Sequence, residues 1–257
     1  MADFDGRELS SPASGDEASR RARLGAAARM IAEHSLTHDA ELLVQQIEEY
    51  TSNGDGADFE IVCFELLAPA AHRLGESWVA DSIDFLDVTT GTWRLQETMR
   101  ILARRHARRS REAVQLGLAT SAHSLGRALF SAMPGDQHDF APQMLDELFT
   151  AHGWETTALT RPMRSELIKA LADEPFDLIG LTLTRDCPSS ALKGLIEEIR
   201  GSSANPAIAV LIGGRTVNLN PAIVAEVGAD GTGADARAAL DVARELVQSA
   251  KVHAPSD

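Results

Sequence analysis

Between about residue 20 and residue 108, apolar side chains return every third or fourth position: Leu24, Ala28 and Ile31, then Leu42, Leu43 and Ile47, then Phe59, Val62, Cys63, Leu66, Ala70 and Leu74. That spacing lines one face of a helix and predicts buried stripes. Breaks at 35–38, at the SNGDG of 52–56 and around 75–82 divide the stretch, leaving a last long helix from roughly Ile83 to Arg108. Four helices with short connections predict a bundle. Pro69 falls inside the third helix, where it removes a backbone donor and predicts a bend.

After about 126 the pattern changes to short apolar runs separated by amphipathic stretches. ALFSA (128–132), ETTAL (155–159), LIGLT (178–182) and AIAVLIGG (207–214) read as buried parallel strands, with a short fifth near Asp230 and Gly231. Helical patterns at 141–152, 163–173, 189–200, 221–227 and from about Asp235 to Val247 alternate with them. The alternation predicts an α/β fold: a doubly wound five-stranded parallel sheet with helices on both faces and ligands at the carboxyl ends of its strands. Residues 109–126 join the halves; VQLGLAT (114–120) reads as an extra strand or as linker, and linker is adopted. The expected division is a flexible tail at 1–19, where large apolar groups are scarce, a helical bundle at 20–108, a linker at 109–126, an α/β domain at 127–250 and a tail at 251–257.

Composition narrows the function classes. The 257 residues carry 24 Lys and Arg against 38 Asp and Glu, a formal charge of −14, whose field repels phosphate backbones and anionic lipid. One local exception is the run Arg94, Arg100, Arg104, Arg105, Arg108, Arg109 and Arg111, which reads as a solvated face near a helix end or as a contact for an acidic partner. Only Cys63 and Cys187 are present, without ligand spacing, so neither a disulfide framework nor a zinc site is indicated. No signal peptide and no run of about 18 apolar residues is visible, and a cytoplasmic location is expected.

Chemistry concentrates where the first α/β strand ends. Asp136 and His138 lie in the following loop, just ahead of a helix with Pro142 in its first turn. An Asp two positions from a His can accept a hydrogen bond from one ring nitrogen, fixing the tautomer and leaving the other lone pair for a metal. One protein ligand suits a metal already held by a macrocycle, whereas a free zinc ion wants three or four. At the same edge, the third strand runs into Thr182 and Thr184, and the fourth ends in Gly213 and Gly214. Adjacent glycines admit a bulky group to the backbone, and small hydroxyls offer hydrogen bonds deep in a slot.

The ordered set resembles the cobalamin-binding domain of methionine synthase, corrinoid methyl-transfer proteins and B12-dependent light sensors, with its pattern DxHxxG, SxL or SxT, and GG. Here the segments are DQHDFA, TLT and GG; Thr182 follows His138 by 44 positions, and Gly213 follows Thr184 by 29. The resemblance implies a flavodoxin-like B12-binding fold. It further implies that His138 is the lower cobalt ligand, that Asp136 orients it, and that Thr182, Thr184, Gly213 and Gly214 line a slot for the cofactor's nucleotide tail. Ala141 replaces the family's usual Gly and adds a methyl group near the expected path of the nucleotide loop.

The helical half carries a second resemblance. LGESWVADSIDFLDVTTGTWRLQ (74–96) looks like the segment with which B12-photoreceptor caps cover the corrin, Trp78 matching their tryptophan. Val88 and Thr89 stand where those caps carry Glu-His, and Phe85 takes an apolar contact position. Trp78, Phe85 and Trp93 also read as bundle core. In this segment the chain is similar to the PpaA/AerR regulators of photosynthesis genes and the related SCHIC sensor domain. What that implies is a non-enzymatic sensor that responds to light or to the corrinoid's redox state and contacts a transcription repressor. Two alternatives remain: a corrinoid methyl carrier of a methyltransferase system, and a haem sensor using one axial histidine. The other histidines (His34, His38, His72, His106, His123, His152 and His253) offer no choice of upper ligand. A phosphoacceptor receiver is disfavoured because Asp136 and Asp186 are followed by Gly231-Thr232-Gly233 where a Lys is needed, and a dinucleotide fold because GxGxxG is absent after the first strand.

Overall fold

The computed structural model describes residues 12–52, 59–116, 124–185 and 187–253. Contacts divide the chain into one unit up to Ile101 and a second from Leu102.

The first unit is built from α1 (Pro12–Ser35), α2 (Ala40–Ser52), α3 (Phe59–Ile61), a π-helical stretch (Val62–Leu67), α4 (Ala68–Val79) and the opening of α5 (Phe85–Gln115). Most of the apolar stripes meet as expected: Ala28, Ile31, Leu43, Ile47, Val62, Cys63, Leu66, Ala70 and Leu95 are buried, whereas Leu24 is half-buried and Leu42 is exposed. Pro69 has a visible consequence. Its ring cannot share space with the carbonyl four residues back and it donates no hydrogen bond. The turn just before it widens, so that the Ala68 N–H bonds to the Cys63 carbonyl five residues back.

Asp84 and Asp87 start α5 as a reciprocal cap: Asp87 N–H donates to Asp84 Oδ1 at 2.8 Å and Asp84 N–H to Asp87 Oδ2 at 3.3 Å. Arg94, from the arginine run, donates to the Ser35 carbonyl at 2.8 Å and so satisfies the end of α1. Arg100 and Arg108 pair with Glu97 and Glu112 on their own helix.

Two boundaries and one burial expectation differ. Residues 12–19, expected as tail, open α1, with Pro12 at its first position, where a missing N–H costs nothing. Residues 109–115, expected as linker, continue α5, since nothing in RSREAVQ breaks a helix. Trp78, Phe85 and Trp93, offered as bundle core, are 46 %, 72 % and 57 % exposed. The SNGDG break, most of VQLGLAT, Asp186 and the last four residues lie outside the described residues.

The second unit has a parallel sheet ordered β2-β1-β3-β4, with β1 (Arg127–Ala132), β2 (Glu155–Leu159), β3 (Leu178–Thr182) and β4 (Ala209–Gly213). The connecting helices are α6 (Phe140–Ala151), α7 (Arg164–Asp173), α8 (Ser189–Ser202), a short α9 (Arg215–Leu219), α10 (Ile223–Val227) and α11 (Ala236–His253). Alternation along the strands gives each face its own cover. Leu129, Ile179, Leu181, Val210 and Ile212 pack in one cluster with Leu167, Leu195, Ile199 and Val227 from α7, α8 and α10. On the other face Phe130 meets Phe149 of α6 edge-on at 4.7 Å.

The α/β fold with a parallel sheet stands as read, except that the fifth strand reduces to a single bridge, Leu211 to Gly231. The cause is local. Asp230-Gly231-Thr232-Gly233 supplies no apolar run, and a side chain at Gly231 would come within 2.9 Å of Val242 on α11.

Asp146, on α6 beside Thr156, lies in the helix-to-β2 packing with Oδ1 buried and without a hydrogen bond among the described residues. Burial pushes its carboxyl above the ordinary carboxylate range, only partly offset by Thr156. The folded chain therefore holds this proton more tightly than the unfolded chain, and stability falls as pH rises from about 3.9 through the raised folded value. Asp146→Asn is expected to be more stable than the parent at pH 7, with the difference shrinking towards pH 3. Urea unfolding across that range checks both the sign and the trend.

Candidate functional site

The site begins with a tight turn. Met133-Pro134-Gly135-Asp136 closes with Asp136 N–H on the Met133 carbonyl at 2.8 Å, and Gly135 adopts φ 90°. Proline second and a positive-φ glycine third are the demands of a type II turn. The turn brings the chain off β1 and leaves Asp136 buried at the carboxyl edge. This edge is where the strand order reverses, β1 leading to β2 on one side and to β3 on the other, the place at which such sheets bind ligands.

Asp136 holds His138 twice. Its Oδ1 accepts the His138 ring Nδ1–H at 2.6 Å and the His138 backbone N–H at 3.1 Å. Burial opposes ionisation of Asp136, but the His138 ring, its backbone N–H, its charge and the Thr184 hydroxyl together outweigh that, and the carboxyl sits below its ordinary value. An ionised carboxylate only accepts, so the proton between the two residues belongs to Nδ1. His138 Nε2 has no hydrogen-bond partner among the described residues, on a side chain 57 % exposed. The expected pairing of Asp136 with His138 is thus present in the geometry. Thr184 joins it from the loop after β3, a role distinct from the slot lining that the resemblance implies.

Next to this pair the edge of the sheet is lined by small residues. Register places Ala132 against Thr182 and Thr182 against Gly213, and the space where a Cβ of Gly213 would stand meets only the Gly233 carbonyl, at 4.0 Å. One row deeper the space is closed: a Cβ on Gly180 would come within 2.7 Å of the Phe130 ring. Thr182 is 5 % exposed, and its Oγ1 is buried with no partner among the described residues. A buried, unpaired hydroxyl costs about 1–3 kcal/mol, a cost that an incoming polar group at this edge would offset.

Gly214 differs from Gly213. With φ 102° and a would-be Cβ 2.6 Å from the Leu183 carbonyl, it is required by the chain's own backbone. Ala141 stands exposed in the first turn of α6. Arg161, from the loop after β2, reaches Asp139 at 3.4 Å and ties down the far side of the His138 loop.

Trp78, Phe85, Val88 and Thr89 belong to the helical unit. Trp78 ends α4, Phe85 opens α5, Val88 is half-buried, and the Thr89 hydroxyl bonds to the Phe85 carbonyl of its own helix at 2.7 Å. Of the remaining histidines, His34 and His38 stack on each other at 4.6 Å, His72 faces Glu76, and His152 bonds to the Leu148 carbonyl. His123 is outside the described residues.

Comparison with known proteins decides the kind of domain. Residues 126–241 match the family model of the B12 binding domain. Over these residues the chain resembles a B12-binding domain. A corrinoid protein of Desulfitobacterium hafniense (strain Y51) is 27 % identical over 150 residues, covering 54 % of this chain and 68 % of that protein. Among solved structures, the monomethylamine corrinoid protein of Methanosarcina barkeri aligns with a TM-score of 0.66 at 15 % identity, over 84 % of this chain and 96 % of that one. The methanol:cobalamin methyltransferase complex of the same organism aligns at a TM-score of 0.43 and 16 % identity, over 96 % of this chain and 94 % of that one.

The Desulfitobacterium hafniense relative overturns the expectation of a light- or redox-responsive regulator that contacts a transcription repressor: it is named a corrinoid protein. The structure explains why segment 81–96 misled. Asp84 and Asp87 cap α5, Leu95 is core, and Gly91 lets α5 pass close to Leu74 and Ser35, where a Cβ would come within 2.9 Å. Helix construction accounts for that pattern without any sensor. Haem gains nothing from the comparisons, and the domain match favours cobalamin.

The loop turn and Thr232, another buried unpaired hydroxyl, escaped the motif reading. The Pro-Gly dipeptide was the available signal for the turn; Thr232 had none.

The two glycines are expected to part company on substitution. Gly214→Ala should cost on the order of 2–4 kcal/mol, through strain and the clash with Leu183. Gly213→Ala should leave stability within about 0.5 kcal/mol, because space is open there. Chemical denaturation of the two variants side by side makes the comparison.

Proposed function

We propose that this protein is a corrinoid carrier that presents a bound cobalamin to methyl-transferring partners and is not itself a catalyst. The observation that carries the reading is the His138–Asp136 pair: a ring held through Nδ1 by a buried carboxylate, with Nε2 unengaged among the described residues, at the strand-order reversal of a domain that resembles a B12-binding domain. The corrinoid-protein relative supports the carrier role over the sensor role. No group of three or more His, Cys, Asp or Glu suited to a free metal ion occurs among the described residues.

When bound, the corrinoid supplies a cobalt centre able to carry a methyl group, chemistry that belongs to the cofactor. The chain's own part is positional. His138 would offer Nε2 to the cobalt, Asp136 holds the ring through Nδ1, and Thr184 steadies Asp136. Thr182 and the space at Gly213 fit a slender polar tail entering the sheet edge, the unpaired Thr182 hydroxyl being the point of fit. No described helix is long and apolar enough to cross a membrane.

The test is spectroscopic. Incubated with hydroxocobalamin and desalted, the parent chain should retain the corrinoid with a shifted ultraviolet-visible spectrum, and His138→Ala should lose that shift. Asp136→Asn should weaken retention by about 10–100-fold, the usual effect of removing the group that orients a ligating histidine. Identical spectra for the parent and His138→Ala would remove the proposed ligand.

A further inference from the structure

Arg161 belongs to no motif in the sequence, yet its backbone is held where a side chain is unfavourable. Its φ is 48°, in the left-handed region that a residue with a Cβ enters only at a free-energy cost. Pro162 follows directly, and a proline pushes the residue before it towards extended backbone. The other described non-glycine residue at positive φ is Asp81, a type that tolerates the conformation; arginine is not one. Strain of this kind persists where other contacts hold the chain to it, and it collects at ligand sites.

The contact that accompanies the strain lies at the candidate site. The loop after β2 brings Arg161 to the carboxyl edge of the sheet, where its Nε stands 3.4 Å from Asp139 Oδ2. Asp139 directly follows His138, and its side chain is 13 % exposed. Neither side chain serves as a helix cap. Asp139 stands at the N-cap of α6 without a side-chain cap hydrogen bond, and the start of α7 is closed by Glu166, whose Oε2 accepts the Met163 N–H at 2.7 Å. His138 thus sits between two carboxylates, each engaged from the loop after a different strand: Asp136 by Thr184 after β3, and Asp139 by Arg161 after β2.

We propose that Arg161 is a positioning residue for the cobalt ligand: through Asp139 it holds the His138 loop at the sheet edge, and the left-handed turn is kept because it delivers the guanidinium there. Without it the Asp136–His138 pair stays, but one end of its loop is loose, so Nε2 samples more directions and the ring ligates a smaller share of the bound corrinoid. A part-exposed ion pair contributes little to global stability, so its loss shows in the ligand and not in the fold. This inference rests on the corrinoid-carrier reading.

The experiment separates the two. Arg161→Gly removes the guanidinium and leaves a residue at ease with positive φ; Arg161→Lys keeps a cation of similar reach. The full chain, both variants and His138→Ala are melted without ligand and then titrated with hydroxocobalamin, the histidine-ligated share being read from the absorption shift that His138→Ala lacks. Arg161→Gly should melt no lower than the parent, yet bind about tenfold more weakly, the lower end of the effect of removing a group that positions a metal ligand, and with a reduced shift; Arg161→Lys should recover most of both. An Arg161→Gly variant that melts below the parent makes the residue a structural one and overturns the inference. So does an Arg161→Gly variant that keeps the parent's affinity and shift, or an Arg161→Lys variant that fares no better than Arg161→Gly. In each of these cases the carrier reading stands. A parent that binds no corrinoid, or shows no shift relative to His138→Ala, overturns both.

Discussion

One hydrogen bond organises the candidate site: the 2.6 Å contact between Asp136 and His138 Nδ1. An imidazole has two nitrogens of nearly equal basicity, and a ligand role needs one of them reserved. Burying Asp136 would ordinarily favour its neutral form, which could not hold the histidine in one tautomer. Donors from His138 and Thr184 reverse that preference. The turn at Pro134 and Gly135 and the Arg161 tie to Asp139 then matter because they hold the two residues in register with each other. A soft loop would let the carboxylate turn to solvent and give up its control of the ring.

The layers of the second unit were legible in the sequence because β3 and β4 are apolar runs buried almost throughout, each with a helix after it; β2, ETTAL, was read as buried but lies half-exposed at the sheet's edge. Both boundary errors in the helical unit and its linker came from judging disorder by composition. Residues 12–19 and 109–115 are polar enough for a tail or linker, but nothing in them opposes a helix that is already nucleated next door. The fifth strand was over-read for the opposite reason, since two ladder hydrogen bonds at Asp230 and Gly231 can occupy a strand's place without a strand's length.

Site reading divided along a similar line. Asp136 and His138 are close in sequence, so local spacing was enough to pair them. The difference between Gly213 and Gly214 was invisible, because it depends on Leu183, a residue from another strand. The same holds for Thr184, whose partner lies across the loop. In the helical unit, a segment that looked like a sensor's cap is explained by a reciprocal aspartate cap and a glycine crossing. Local matches of that kind carry less weight than a domain-length match, since helix starts everywhere solve the same problem with the same few residues.

The way β4 is finished has a consequence for the molecule's behaviour in a crowded solution. Its outer margin meets no full neighbour, yet Val210 gives its N–H to the Asp230 carboxylate and its carbonyl to the Asp230 N–H, while Ile212 gives its N–H to Gly231. Arg200 grips the same carboxylate through both oxygens and holds the arrangement shut. An exposed rim of backbone groups invites strand addition from another chain. Here a single aspartate and a glycine occupy Val210 and the Ile212 N–H, so this margin of β4 has few backbone groups left to pair with a strand from another chain.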